Sequence, residues 1–416
     1  MSELIANMEK KRKLLKEMIL HLHKGEAVDT VKTKLSRLLG EVPYGIVVEV
    51  EQELIQEGLP TEEVLQLCDI HGQALKGIID LKDAKSSPEG HPVHTFKMEN
   101  RMLSSLILKT KNVMDYLINR ANDDEIHEIL RELRLLFNSL SDVDKHYRRK
   151  ENLLFPYLEK KGITGPPKVM WGKHDEARGY LKEVLSGLID YEKKETIDRE
   201  ELKKFLNGPV KRAIDAIDEM IYKEEEILFP TSLDVLSDKE WYAIFKQSPE
   251  IGFCLYDPKD LWKPEQLDKE EETSISEGEK EGKITLPSGV FSLKELIHAF
   301  NTMPFDITFV DKDDYVRYFS QGKERIFDRT RAILGRKVQL CHPPSSVHIV
   351  EKILSDFKSG KKDRARFWLE VRGKFIYIEY IAVRDDKGEY LGILEVTEDL
   401  TEKRKLEGER RILNYD

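Results

Sequence analysis

HYRRKENLLFP (residues 146–156) and MIYKEEEILFP (residues 220–230) end in nearly the same words. Each carries a glutamate, Glu151 or Glu225, five residues after its first position, in helical text that runs into Leu-Phe-Pro. The two copies lie 74 residues apart, and His94 and His174, each on its own helical segment, precede them at a similar spacing of 80. A duplicated order of histidine helix then glutamate helix is what a four-helix bundle uses to turn imidazoles and carboxylates toward a central metal pair. The repeat therefore predicts a bundle with His94, His146, Glu151, His174 and Glu225 as metal ligands. Glu224, Glu226, Asp175 and Glu176 read instead as a solvated face.

The chain around this repeat has 416 residues, too many for one core, so two or three domains are expected. Charged residues make up 35% and the net charge is −10, which suits a soluble, cytoplasmic protein and not one that holds a nucleic-acid backbone. No apolar run approaches the roughly 18–20 residues that span a bilayer, and the charged N-terminus reads as an amphipathic helix. Three scattered cysteines, Cys68, Cys254 and Cys341, form no disulfide framework and fit a reducing compartment.

Glycine, proline and charge runs divide the chain. Residues 1–82 read as a small helical domain, 83–91 as a connector within DAKSSPEGH, and 88–245 as the bundle, with Pro156 and Pro230 each closing a helix. Residues 246–285 form a charged linker. Residues 286–402 change period: ITFVD, VRYFS, ARFWLEVR, KFIYIEYIAVRD and LGILEVTED alternate and are β-branched or aromatic, predicting a small antiparallel sheet. Residues 403–416 read as a charged helical tail. The fold class is thus multidomain, with all-α N-terminal and bundle domains followed by an α+β domain.

GHPVHTFKMEN, HYRRKENLLFPYLEK, MWGKHDEAR and IYKEEEILFP together resemble the hemerythrin HHE cation-binding family over roughly residues 88–240. The resemblance implies an up-down bundle holding non-haem iron as a di-iron site on the residues named above. The chain departs from that pattern at two places. Met220 stands where the family's second His-Glu helix begins with histidine, and Arg178 stands where oxygen carriers have a second histidine on the third helix. His146 and Glu151 are also five apart, about 140° around an α-helix, with Lys150 at the tighter position. Tyr147 and Tyr222 beside the motifs read either as phenolate ligands or as core tyrosines. Further ligands are offered by Cys68 and His71, one turn apart, and by His91, three residues before His94. The other reading makes Cys68 a small buried hydrophobe and His71 a surface residue.

Residues 286–402 resemble a PAS sensor domain, on FSLKELIHAFNTMPFDITFVDKDDYVRYFS and on the exit VTEDLTEKRKLE. Cys341, His342 and His348 cluster at the start of a pocket-lining helix, where they would hold haem or another metal, or serve only as a helix-capping loop; a small-molecule pocket is the third option. The whole order of domains resembles a family of uncharacterised bacterial and archaeal proteins. That family is known by its domain content; the leading reading of the chain is a cytoplasmic sensor in which iron answers oxygen, nitric oxide or redox state and the PAS domain senses a second cue or relays the first. A homodimer through the PAS domain and a downstream protein partner are expected, with no nucleic acid and no membrane. The alternative is a di-iron redox enzyme of the iron–sulfur-centre repair or nitric oxide and peroxide detoxification type. A third is a zinc-holding scaffold. No Ser/His/Asp set, phosphate-binding loop or glycosidase carboxylate pair is present to name a catalytic residue.

Overall fold

Capping residues and apolar stripes set the helices of the first unit. His91 caps a helix that begins at Pro92, where a missing N–H costs nothing. Asn122 and Glu125 form a capping box at the next helix start, as do Ser237 and Glu240 further on. In the computed structural model the described residues are 2–23, 27–39, 42–57, 59, 75–77, 79–82, 84–259, 262–264, 283–286, 288–323, 325–409 and 411. They divide into two units, one chiefly residues 1–268 and the other chiefly 269–416.

In the first unit, α1 (Ser2–His23), α2 (Val28–Leu39) and α3 (Tyr44–Gln56) pack together, and Val42–Pro43 pairs in parallel with Ile79–Asp80. The bundle follows. Its first helix is α4 (Pro92–Asn119). The second runs through α5 (Ile126–Leu140), α6 (Val143–Arg149), a π-helical turn (Lys150–Leu154) and α7 (Phe155–Lys160). The third is α8 (Gly165–Lys193). The fourth runs through α9 (Arg199–Phe205), a π turn (Leu206–Val210), α10 (Lys211–Lys223), a second π turn (Glu224–Leu228) and α11 (Phe229–Val235). A fifth helix, α12 (Asp238–Ile251), lies against α4 and α6.

The prolines do not close their helices as expected. Phe155 N–H reaches back to the Lys150 carbonyl, and Phe229 N–H to that of Glu224, so each π turn takes up one extra residue. Pro156 and Pro230 then fall at the start of a fresh α segment, where no N–H is required. The linker also begins later than residue 246. Cys254 is buried, and Trp262 packs its ring on His91 at 4.5 Å, so both residues belong to the bundle.

The N-terminal helices sit on the bundle. Gln52 donates to the Gly162 carbonyl at 2.8 Å and accepts from Thr164 N–H at 3.3 Å, clasping the loop between the second and third bundle helices. The Tyr44 hydroxyl donates to Asp234, and Ile227 of the bundle enters the N-terminal core beside Val47 and Leu54.

In the second unit, Lys283–Leu286 (β3, after the two short strands above) pairs with β4 (Gly289–Ser292), and α13 (Leu293–Thr302) starts from a Ser292–Glu295 capping box. A five-stranded antiparallel sheet follows, in the order β6-β5-β9-β8-β7, from β5 (Asp306–Asp311), β6 (Val316–Phe319), β7 (Arg364–Val371), β8 (Lys374–Arg384) and β9 (Tyr390–Asp399). α14 (Pro344–Lys358) lays Leu354 and Phe357 on its inner face against Val310 and Ile393. The expected helical tail is, among the described residues, a single 3-10 turn at Lys403–Lys405.

Candidate functional site

Ionisable residues on all four bundle helices meet in the interior. α4 contributes Glu99, which shares the apolar stripe of Phe96, Leu103 and Ile107. The second helix contributes His146, Arg149, Lys150 and Glu151; its π turn brings Lys150 and Glu151 inside together with His146. α8 contributes His174 and, at its edge, Arg178. The second π turn contributes Glu224. Glu99, His146, Lys150 and His174 have no exposed surface, and Glu224 and Glu151 have 1% and 3%.

Each carboxylate has one cation. Arg149 donates to Glu99, Lys150 donates to Glu224, and Arg178 Nη2 donates to Glu151 at 2.9 Å. His146 bridges two of these pairs, with Nδ1 2.7 Å from Glu99 and Nε2 2.8 Å from Glu224. Asn100 donates to Glu224 at 3.1 Å, and the backbone N–H of Cys254 donates to Glu99 at 2.6 Å. His174 Nδ1 lies 2.7 Å from Glu151, and its ring stacks on Tyr147 at 4.0 Å. Arg178 is tied at the rim to Asp144 at 2.8 Å and Asp175 at 2.9 Å.

The electrostatics follow from burial and these partners. Burial alone would raise the Glu224 carboxyl, but Lys150 and His146 outweigh it and hold the group well below the usual carboxylate range. Burial likewise opposes the charge on Glu99, and Arg149 and His146 overcome it. Burial, with Lys150 and Arg178 adding to it, pushes His174 well below the usual imidazole range, so its ring is neutral. Burial, then Glu224, raises the Tyr147 phenol, which keeps its proton. Burial also raises the Cys254 thiol, leaving an inert sulfhydryl beside the network.

Of the residues expected as ligands, the structure brings His146, Glu151 and His174 into this network. Glu225 is half-exposed and burial raises its carboxyl. The interior position is taken by Glu224, which the solvated-face reading had placed outside. At the 74-residue offset Glu224 matches Lys150, so the duplicated positions meet as anion and cation. His94 is half-buried with an unpartnered, buried Nδ1. His91 accepts from Val93 N–H at 3.1 Å as the helix cap and packs on Trp241; burial, then His94, lowers it to about 4. Tyr147 is a core residue, whereas Tyr222 is half-exposed near Lys76; burial raises Tyr222 to about 12. Met220 packs in the core and lines a cleft of about 180 Å³ with Lys173, Tyr180 and Lys223. Cys68 and His71 lie outside the described residues.

Beside Glu224, the sequence reading misses Glu99, Arg149 and the ion-pair role of Lys150. Only Glu99 left a signal, a carboxylate on an apolar helical stripe.

These side chains do not fit a di-iron centre. An iron pair needs free imidazole lone pairs and carboxylates able to bridge. Here both nitrogens of His146 face carboxylate oxygens, and every buried carboxylate is neutralised by its own cation. The unpartnered buried atoms nearby include His94 Nδ1, Asn100 Oδ1, Tyr147 Oη, Arg149 Nε and His174 Nε2, none of them anionic. Among the described residues no group of three or more His, Cys, Asp or Glu is arranged to hold a metal ion.

The same holds for Cys341, His342 and His348. Cys341 Sγ points to the Lys337 carbonyl at 3.7 Å, burial lowers His342 to about 4, and His348 stands exposed on α14. A ligand-sized cavity among the described residues of this unit is elsewhere, about 530 Å³ lined by Asp306, Thr397, Asp399 and Lys374 among others. No helix among the described residues is long and apolar enough to cross a membrane.

Family models match three parts of the chain. Residues 15–81 match a family of unknown function (DUF438), 91–232 the hemerythrin HHE cation binding domain, and 296–401 a PAS domain. Among solved structures, a C-terminal domain from Streptococcus mutans is 32% identical, covering 31% of this chain and 99% of that one with a TM-score of 0.30. The PAS domain of a Colwellia psychrerythraea protein is 18% identical over 26% of this chain and 98% of its own, with a TM-score of 0.22. That of Bordetella pertussis BvgS is 20% identical over 27% and 89%, with a TM-score of 0.23. No curated protein matches the chain. The chain therefore carries, in this order, stretches that match DUF438, the hemerythrin HHE cation binding domain and a PAS domain.

Proposed function

We propose that the protein is a signalling protein in which the PAS domain receives a small-molecule cue and the hemerythrin-like bundle is a relay coupled to it. The observation that carries this reading is the buried network itself. Its members come one or more from each of the four bundle helices, and displacing His146 removes a partner from Glu99 and Glu224 together. Such a network has discrete arrangements, satisfied or broken, which is what a relay requires. The PAS cavity near Asp306 and Lys374 is of ligand size and is bordered by charged and hydroxyl side chains, which suits a polar metabolite.

The reading includes a second copy of the chain as partner. Helix α13 is amphipathic in sequence, yet none of its residues is buried, and Leu293 and Ile297 are exposed. A homodimer formed through the PAS domain would cover them. Light scattering should give twice the chain mass, and Leu293→Asp with Ile297→Asp should return it to one.

Hydrogen exchange on the full chain tests the relay. Lys150→Met should speed exchange in α6 and α10, as any core lesion would, and should also change it in β5 and β9. Unchanged protection in those strands would remove the bundle from the signalling route.

A further inference from the structure

We infer that the centre of this bundle is a metal-independent ionic core, in which Lys150 and Arg178 are built-in cations that stand in for a bound metal ion. The inference goes beyond the signalling proposal and does not depend on it.

Glu99, Glu151 and Glu224 are buried carboxylates, and Arg149, Arg178 and Lys150 meet them one to one. Counting these six side chains, the interior is already neutral. A pair of divalent ions would add positive charge in a low-dielectric space whose three buried carboxylates are each already met by a cation. Geometry leads to the same place. The Lys150 ammonium reaches Glu224, while also lying 4.7 Å from the centroid of the Tyr147 ring. Arg178 is fixed by three carboxylates at 2.8–2.9 Å, which a flexible surface side chain would not hold together. An ion seeking Glu151 must displace that guanidinium, and one seeking Glu224 must displace the ammonium and the His146 ring.

The repeat explains how such a core arises from a duplicated unit. Positions 150 and 224 occupy equivalent places in the two π turns. Two carboxylates facing each other there would repel and call for a cation. A lysine in one copy and a glutamate in the other satisfy each other instead. The prediction is specific: deleting the cations, not the imidazoles, should create metal affinity.

The test uses the full chain purified without chelator, with metal content and melting temperature measured before and after EDTA and with added ferrous iron or zinc. The wild type should carry no metal that is lost on His174→Ala, and its melting temperature should not move with either ion. Lys150→Met combined with Arg178→Gln leaves Glu224 and Glu151 uncompensated beside His174. It should melt roughly 5–10 °C lower in EDTA and recover part of that loss with zinc or ferrous iron. A folded double variant that gains no metal-dependent shift would overturn the inference. So would wild-type protein holding about one or more irons per chain that disappear in His174→Ala. The wild-type result stands on its own should the double variant not fold.

Discussion

At the residue scale, His91 shows how burial sets a charge state that stability then depends on. It caps α4 through its ring nitrogen and packs between Trp241 and Trp262, and burial with the neighbouring His94 brings it from 6.5 to about 4. The folded value is depressed, so its contribution is fully present above the unfolded value near 6.5. It is lost as pH falls from there toward 4. One pKa unit is about 1.4 kcal/mol, which bounds the effect at about 3 kcal/mol. Urea denaturation at pH 7.5 and pH 4.5 should therefore show a smaller acid loss for His91→Asn, which keeps a cap acceptor without the titration. Equal acid losses would assign the dependence to other groups. The same scale shows why part of the site was legible in the sequence and part was not. His146 and His174 were named from their helices because histidines on a repeated motif face one way. Glu224 was placed on the solvent side because three consecutive glutamates look like a charged surface, and nothing in KEEEIL says which one turns inward. Lys150 fell to the same difficulty: a buried lysine is rare without a partner, and its partner is 74 residues away.

At the scale of elements, the π turns carry the explanation. A helix turning 100° per residue puts His146 and Glu151 on different faces, and this made the five-residue spacing look unfavourable. The extra residue in Lys150–Leu154 widens the turn where Lys150 and Glu151 are both buried, and the proline that follows becomes compatible with a continuing helix. Periodicity alone could not reveal a local change of period, though Leu-Phe-Pro in both copies marked the place. Strands were more legible, since alternation survives any local twist. They also contain one position that only glycine can fill. Gly392 in β9, at φ +154, pairs with Asp311 and Val383, and a Cβ there would lie 2.1 Å from the Val310 carbonyl oxygen. The obstacle is backbone and cannot rotate away. Gly392→Ala should destabilise the PAS domain by roughly 3 kcal/mol or more, read as a lower midpoint of near-ultraviolet or tryptophan signal from Trp368. In the bundle, a Cβ added at Gly187 would lie 2.5 Å from the Phe205 ring, too close unless the ring moves. Gly187→Ala there should cost about 1–3 kcal/mol, since a side chain can shift where a carbonyl cannot.

At the scale of the whole molecule, two cores rest on different sequence logic. The first is helical and runs on into the N-terminal helices through Ile227 and Ile163; the second is a sheet sealed by Leu354 and Phe357. Two cores of different composition should melt in two transitions, and each should answer to its own lesion. Gly392→Ala should lower chiefly the transition of the sheet unit. Lys150→Met leaves Glu224 buried with one partner fewer, at a cost of about 3–5 kcal/mol, and should lower the transition of the helical unit. What happens to the other transition then measures function. If the bundle relays to the PAS domain, the two equilibria share a coupling free energy, typically about 1–3 kcal/mol, and the sheet transition must move as well. Calorimetry of the single variants and the double variant supplies the cycle. A sheet transition that stays fixed while the helical one falls means that the domains share a chain without sharing a signal.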